Sequence, residues 1–356
     1  MLLRRSLLFT TLALLGLLIG SELAVFRAPT REHCFGENLR SAVMSPDGKW
    51  VAAVGMEESG RWFFEVWSHD GKRSGERVEV LPPTGRFQPM CWREDGREVA
   101  VGSGAEVWLF TPGESGRRVL AAAKQVRGLE YRSQTLMARC DTTTLCWNVR
   151  SRRQILRLDQ NHLLHAALDP QGKRLITSCF EDGIRIFDLG RKRQLLHITP
   201  GITVSGLQVT KGGHWLCASY RRHDNRRLDT IQTFALQNGE RVAPPLATPV
   251  LEGFQATPDG SRLVARCQEK AVVFDLPKGT PLAENIGSAR LIDQITNDGK
   301  RIATAPQGAG RPNALLWDAK GNAEHSLGDT AQPFSLSWSE TGRLIVVDGR
   351  ISVWRP

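Results

Sequence analysis

From residue 41 onward, short apolar runs rich in β-branched and aromatic side chains alternate with polar turns every ten residues or so. That rhythm predicts an all-β chain of antiparallel strands about five residues long, joined by hairpins. The turns have a signature. Ser45-Pro46-Asp47-Gly48-Lys49 leads into the apolar run from Trp50 to Val54, and related signals stand at Glu94-Asp95-Gly96-Arg97, Pro170-Gln171-Gly172-Lys173, Lys211-Gly212-Gly213, Pro258-Asp259-Gly260, Asn297-Asp298-Gly299-Lys300 and Glu340-Thr341-Gly342-Arg343. Glycine there supplies the positive φ of a tight hairpin. Only the third unit, near Tyr131 to Gln134, lacks it. Roughly twenty residues after each signal comes an aromatic, in the series Trp67, Trp108, Trp147, Phe187, Phe234, Phe274, Trp317 and Trp354. A period near 41 residues built from short strands predicts a β-propeller of four-stranded blades. Each blade can bury its faces only against its neighbours, so one aromatic position recurs in every unit. Eight blades are expected, and seven with one degenerate unit is the alternative.

The fourth unit carries the fullest pattern, Leu168-Asp169-Pro170-Gln171-Gly172-Lys173-Arg174-Leu175-Ile176-Thr177-Ser178 followed by Glu181-Asp182-Gly183-Ile184-Arg185-Ile186-Phe187-Asp188. On these residues the stretch from 41 to 356 resembles the WD-repeat propeller family, with divergent repeats. Trp-Asp itself occurs once, at Trp317-Asp318, with Phe-Asp at Phe187-Asp188 and Phe274-Asp275. The family's structural tetrad is therefore expected to be incomplete, and only in unit four do His162 and His165 stand where one could meet Asp182; a structural role is expected of both. The Pro46-Asp47-Gly48-Lys49 turn is also similar to that of the bacterial Tol-associated propellers. The resemblance implies a non-catalytic protein-interaction scaffold. It also implies ring closure by an N-terminal strand, because the last unit ends with its third strand at Val353-Trp354-Arg355-Pro356. Spacing places the donor near residues 30 to 37, within a linker of residues 22–40.

The N-terminus breaks the β rhythm. Arg4 and Arg5 precede an uncharged, leucine-rich stretch from Ser6 to Gly20. As a helix those fifteen residues reach roughly 22 Å, short of the ~30 Å hydrocarbon core, with Leu2, Leu3 and Leu23 able to extend it. Residues 1–21 therefore read as a signal-anchor or a signal peptide. The best cleavage point follows Ala24 but puts Glu22 where a small residue is wanted, which favours the uncleaved anchor. With Arg4 and Arg5 held in the cytoplasm, the propeller lies outside it, on the periplasmic or extracellular side; secretion after cleavage is the alternative.

Chemistry is sparse. Seven cysteines, an odd number without tight spacing, exclude a full disulfide framework and read as core residues, with Cys140 and Cys146 able to pair in an oxidising compartment. Neither Cys-x-x-Cys nor His-Glu-x-x-His occurs, nor a Gly-x-Ser-x-Gly elbow, nor a phosphate loop. No metal, cofactor or catalytic residue is expected. The rival class is an exported propeller enzyme such as a lactonase-like hydrolase, which collects single side chains from distant blades; a carboxylate or histidine cluster in the central channel would mark it.

Charge is more informative. The formal net charge is +10, with a pI near 9.6. Basic residues follow the third strand in each of the first four units: Lys72 and Arg73; Arg117 and Arg118; Arg150, Arg152 and Arg153; and Arg191, Lys192 and Arg193. In an up-and-down blade that turn shares a rim with the turn after strand one, which holds Lys173 and Arg174 in unit four. One face of half the ring is expected to be basic. A second cluster, Arg221, Arg222, Arg226 and Arg227, belongs to a long loop after the second strand of unit five, on the opposite rim. The expected partners are proteins with acidic surfaces, with anionic lipid or cell-wall polyanion as further candidates and membrane contact through residues 6–20. Nucleic acid ranks lower, because export separates it from the protein.

Overall fold

The computed structural model describes residues 29–355, except 84–87, 115, 123, 200, 211, 221–227, 250, 268–269, 287–290, 297–299, 307–313, 319–321 and 328–334. The segment read as an anchor and the cluster Arg221, Arg222, Arg226 and Arg227 lie outside the described residues.

Thirty-two strands among the described residues form eight antiparallel four-stranded sheets. Blades one to seven begin with strands Leu39–Met44, Met90–Trp92, Val126–Arg132, Leu163–Leu168, Val204–Val209, Leu251–Ala256 and Leu291–Ile295, and each sheet is ordered as its strands follow along the chain. The eighth has three consecutive strands from Ser335 to Arg355, and Thr30–Phe35 pairs with the last of them, from Thr30↔Arg355 to Phe35↔Ile351. First strands of successive blades touch one another all the way round, including the eighth against the first, so they line the axis and the fourth strands lie outermost.

Burial follows from that geometry. Second and third strands, covered on both faces by neighbouring blades, are almost wholly buried, whereas the outer strand Arg153–Asp159 is largely exposed. Five first strands carry a β-bulge at their start, between Leu39 and Ser41, Val126 and Gly128, Leu163 and His165, Val204 and Gly206, and Leu251 and Gly253. An extra residue there bends the strand where it enters the crowded centre.

The recurring aromatic occupies one register position, opposite an aliphatic residue near the start of the second strand: Val51↔Trp67, Leu136↔Trp147, Leu175↔Phe187, Leu216↔Phe234, Leu263↔Phe274, Ile302↔Trp317 and Leu344↔Trp354. In blade two that position belongs to Phe110, paired with Val99, and not to Trp108. Trp108 lies two residues earlier on the same face, and both pack in one cluster, so spacing alone could not separate them.

The turns use a device that composition hides. Three residues before the turn glycine stands a buried Ser, Thr or Asp in six blades: Ser45, Asp169, Thr210, Thr257, Thr296 and Ser339. Its side-chain oxygen accepts a backbone N–H at the start of the next strand, for example Trp50 to Ser45 Oγ at 2.9 Å, Arg174 to Asp169 Oδ1 at 2.8 Å and Arg262 to Thr257 Oγ1 at 3.0 Å. In blades one, four, five, six and eight the glycine amide donates back to the carbonyl of the same residue. In the unit without glycine, Ser133 takes the positive φ at 53° in a two-residue hairpin.

All seven cysteines are free. Cys146 pairs with Met137, and Cys140 stands three positions along the same strand, so their sulfurs leave opposite faces of the sheet and do not meet. Cys146 packs with Met137, Leu168, Leu175 and Leu189, while the Cys140 thiol donates to the Lys124 carbonyl at 3.3 Å.

Candidate interaction surface

The turn after the third strand hydrogen-bonds to the turn after the first: His69 donates to the Lys49 carbonyl, Val149 to Gln134, Leu189 to Lys173, Leu236 to His214 and Leu276 to Ser261, at 2.8 to 3.1 Å. Both sets of turns thus form one rim, and the basic groups that follow the third strands of the first four blades fall on it.

In blades one and two these cations are engaged. Glu65, in the middle of a buried third strand and 1% exposed, is met by Arg73 at 3.5 Å and Arg77 at 3.1 Å. Glu98, 3% exposed at the start of the second strand of blade two, accepts the Tyr131 hydroxyl at 2.5 Å and is paired with Arg118 at 3.3 Å. Burial, reinforced by the charge of Glu98, raises the pKa of Tyr131, so the phenol keeps its proton and donates it. A carboxylate out of water needs such partners. Lys72 pairs with Asp70 at 3.3 Å, Arg118 also with Glu114 at 3.7 Å, and the Arg117 guanidinium lies 3.7 Å from the centre of the Trp108 ring.

Blades three and four differ. Arg150, Arg152, Arg153, Lys173, Arg191, Lys192 and Arg193 are exposed, and among the described residues none has a carboxylate within ion-pair distance. The two loops share a plan. Asn148 Oδ1 accepts the Ser151 amide and Asp188 Oδ1 the Arg191 amide, each at 2.8 Å, while Val149 and Leu189 are buried beneath them. That backbone bond, aided by the charges of Arg191 and Arg193, holds the Asp188 carboxyl below the usual range. Arg152 and Lys192 take positive φ (56° and 52°) at the position held by Gly239 and Gly279 in blades five and six. Thr135 Oγ1 donates to the Gly172 carbonyl at 2.8 Å, tying the rim of blade three to that of blade four. Arg174 is set apart from the rest: half-buried, it donates to the Leu236 carbonyl of blade five at 3.2 Å, an inter-blade tie.

Among the described residues, half-buried positions on the inner strands include the small or aliphatic Val43, Leu129, Ala166, Gly206, Leu207 and Gly253 together with the polar Arg40, Arg132, Gln208 and Gln255. Burial raises the pKa of Glu130 there, but Arg132 holds one of its oxygens at 2.9 Å and the Leu168 amide the other at 2.9 Å. No three His, Cys, Asp or Glu side chains converge among the described residues. Asp182 meets neither His162 nor His165: its carboxylate pairs with Arg185 at 2.8 Å and lies 3.4 Å from His197, both of its own blade. His162 instead packs against Phe180, and burial, with Arg139 nearby, lowers the pKa of His165. On the opposite rim, Ile202, Tyr220, Gln232 and Arg241 line a cavity of about 400 Å³ between blades four and five, beside the exposed Phe180. Nothing in the sequence pattern marked that cavity, because its walls come from two units.

No known protein family and no curated protein matches this chain in sequence. Solved structures do match in fold. The C-terminal WD40 domain of Sif2 has a TM-score of 0.66 at 14% identity, covering 92% of this chain and 98% of that one. The computationally designed Ika8 protein gives 0.68 at 12% identity, with coverage of 92% and 98%. The β-propeller domain of Cps50 (Swd1) from Myceliophteria thermophila gives 0.57 at 15% identity, covering 77% of this chain and 98% of that one. At such identities the likeness is one of fold, that of WD40 β-propellers.

Proposed function

We propose that this eight-bladed ring is a non-catalytic interaction scaffold, held at or exported across a membrane by its N-terminal segment with the propeller outside the cytoplasm, and that the basic rim of blades three and four receives a polyanionic partner. The observation that carries the reading is the set of seven exposed cations in two adjacent blades without ion-pair partners among the described residues. Such a set attracts an anion at long range and keeps its charge for the encounter. WD40 propellers generally bind other proteins, which supports the scaffold class.

The test is charge reversal, R152E/R153E/R191E/R193E, in the full chain. Capture of poly-glutamate should weaken by about tenfold or more and lose its salt dependence, with thermal unfolding unchanged. Equal capture and an equal salt slope would remove the basic rim from the function.

A further inference from the structure

The direction in which the chain enters the ring fixes which face meets its leader. Third strands end on the basic rim, and Ile351–Arg355 is the third strand of blade eight. Thr30 pairs with Arg355 at that end, so the chain joins the ring on the basic rim. Side chains agree: Glu32 is bound by Arg355 at 2.9 Å and Arg343 at 3.0 Å, and Arg343 also donates to the Gly48 carbonyl in the rim turn of blade one. Only residues 21–29 separate Thr30 from the apolar stretch of residues 6–20. Fully extended, they reach about 30 Å. Whatever surface that stretch enters, the basic rim is the face turned toward it.

The ring then supplies a second point. Eight blades place blade four across the diameter from blade eight, so the unpaired cations and the leader stand at opposite ends of one face. On the other rim of blades three and four, Lys124, Arg127, Arg157 and Arg185 stand with Asp141, Asp159, Glu181 and Asp182, and Arg127, Arg157 and Arg185 are paired at 2.6, 3.0 and 2.8 Å, so charge there nearly balances. The positive field of these blades is thus one-sided.

Resting on the scaffold reading, we infer that the partner of the basic rim is the anionic headgroup layer of the membrane that the leader enters, so that the ring lies flat, with its opposite rim and the cavity between blades four and five turned outward. The cations spread over the turns of two adjacent blades, which suits a plane of phosphates. Each cation near an anionic surface adds attraction that fades within a Debye length of about 8 Å, and a leader that reaches at most about 30 Å raises the local concentration of the rim at that surface, so that the cations can settle into this range.

The experiment uses the full chain with Cys34→Ser, reconstituted in zwitterionic vesicles with or without phosphatidylglycerol and carrying brominated lipid as quencher. A fluorophore is placed on the basic rim of blade four through Gln171→Cys, or on the opposite rim through Glu181→Cys. The Gln171 label should be quenched only in the anionic vesicles, the Glu181 label in neither, and R152E/R153E/R191E/R193E should return the first to its value in neutral vesicles. Equal quenching with and without the anionic lipid, or none, overturns the inference. If the Gln171 label stays bright while the same arginines still capture poly-glutamate, the rim serves an acidic protein and the lipid assignment falls alone; loss of both removes the scaffold reading as well.

Discussion

Blades one and two and blades three and four bear the same motif, basic residues after the third strand, and use it in opposite ways. In the first pair an acid sits inside the sheet. Glu65 and Glu98 cannot remain charged and buried without donors, and Arg73, Arg77, Arg118 and Tyr131 supply them. In the second pair no loop cation has a carboxylate within ion-pair distance among the described residues, and the buried Asp169 accepts the Lys173 and Arg174 amides instead. Exposure does not separate the two roles: the Arg73 and Arg118 side chains, at 48% and 46%, are themselves about half exposed. What decides whether a rim arginine belongs to the fold or to a partner is the carboxylate beneath it.

Substitutions can break that contrast. The largest effect is expected at the acid, where Tyr131→Phe removes the donor to buried Glu98 and should cost about 2 kcal/mol, read from the denaturant midpoint. Arg118→Ala and Arg73→Ala should each cost about 1 kcal/mol, since these half-exposed bases serve buried carboxylates; a loss no larger than at Arg150 would erase the distinction. Acid provides a smaller, signed effect. Burial keeps the pKa of folded His165 below the ordinary 6.5, so its contribution to stability is present above that value and is lost as pH falls below it. His165→Gln should flatten the slope between 6.5 and the carboxylate range in thermal unfolding. The smallest effects belong to the free cations. Arg150→Ala and Arg153→Ala should stay within about 0.5 kcal/mol of the parent. Arg152→Gly and Lys192→Gly should raise the unfolding midpoint slightly, because relief of a positive φ outweighs by a few tenths of a kcal/mol the entropy that glycine returns to the unfolded chain.

The blades were legible because a closed ring repeats one solution to one packing problem, and the turn glycine and the strand-three aromatic are its least replaceable parts. Spacing alone points to Trp108 where Phe110 stands, because two aromatics two residues apart share a face, and only pairing with Val99 tells them apart. The buried Ser, Thr and Asp that brace the turns lie three residues before each glycine, a pattern open to view once glycine is used as the origin. The split among the cations was half legible. Glu65 within Trp62-Phe63-Phe64-Glu65-Val66-Trp67 is a charge inside an apolar run and announces a counter-ion, but nothing local says that it takes Arg73 and Arg77. Glu98, beside a turn, looks like any surface acid, and its burial comes from Tyr131 of the next blade. Asp182 went to Arg185 and His197 because side chains of the same sheet reach it first.

The seam between Thr30–Phe35 and Ile351–Arg355 has a mechanical corollary. A tug on the leading segment is borne at once by five backbone pairings between the two ends of the chain. Drawn along the strand, those pairings resist together; drawn away from the ring, they part in turn, beginning at Thr30 and Arg355. Once parted, they bare the edge of the final strand, ready to pair with whatever strand comes next. Closure of the ring therefore depends on the strand that follows the leading segment, and a load sufficient to part the seam would open the ring while leaving it covalently joined to that segment.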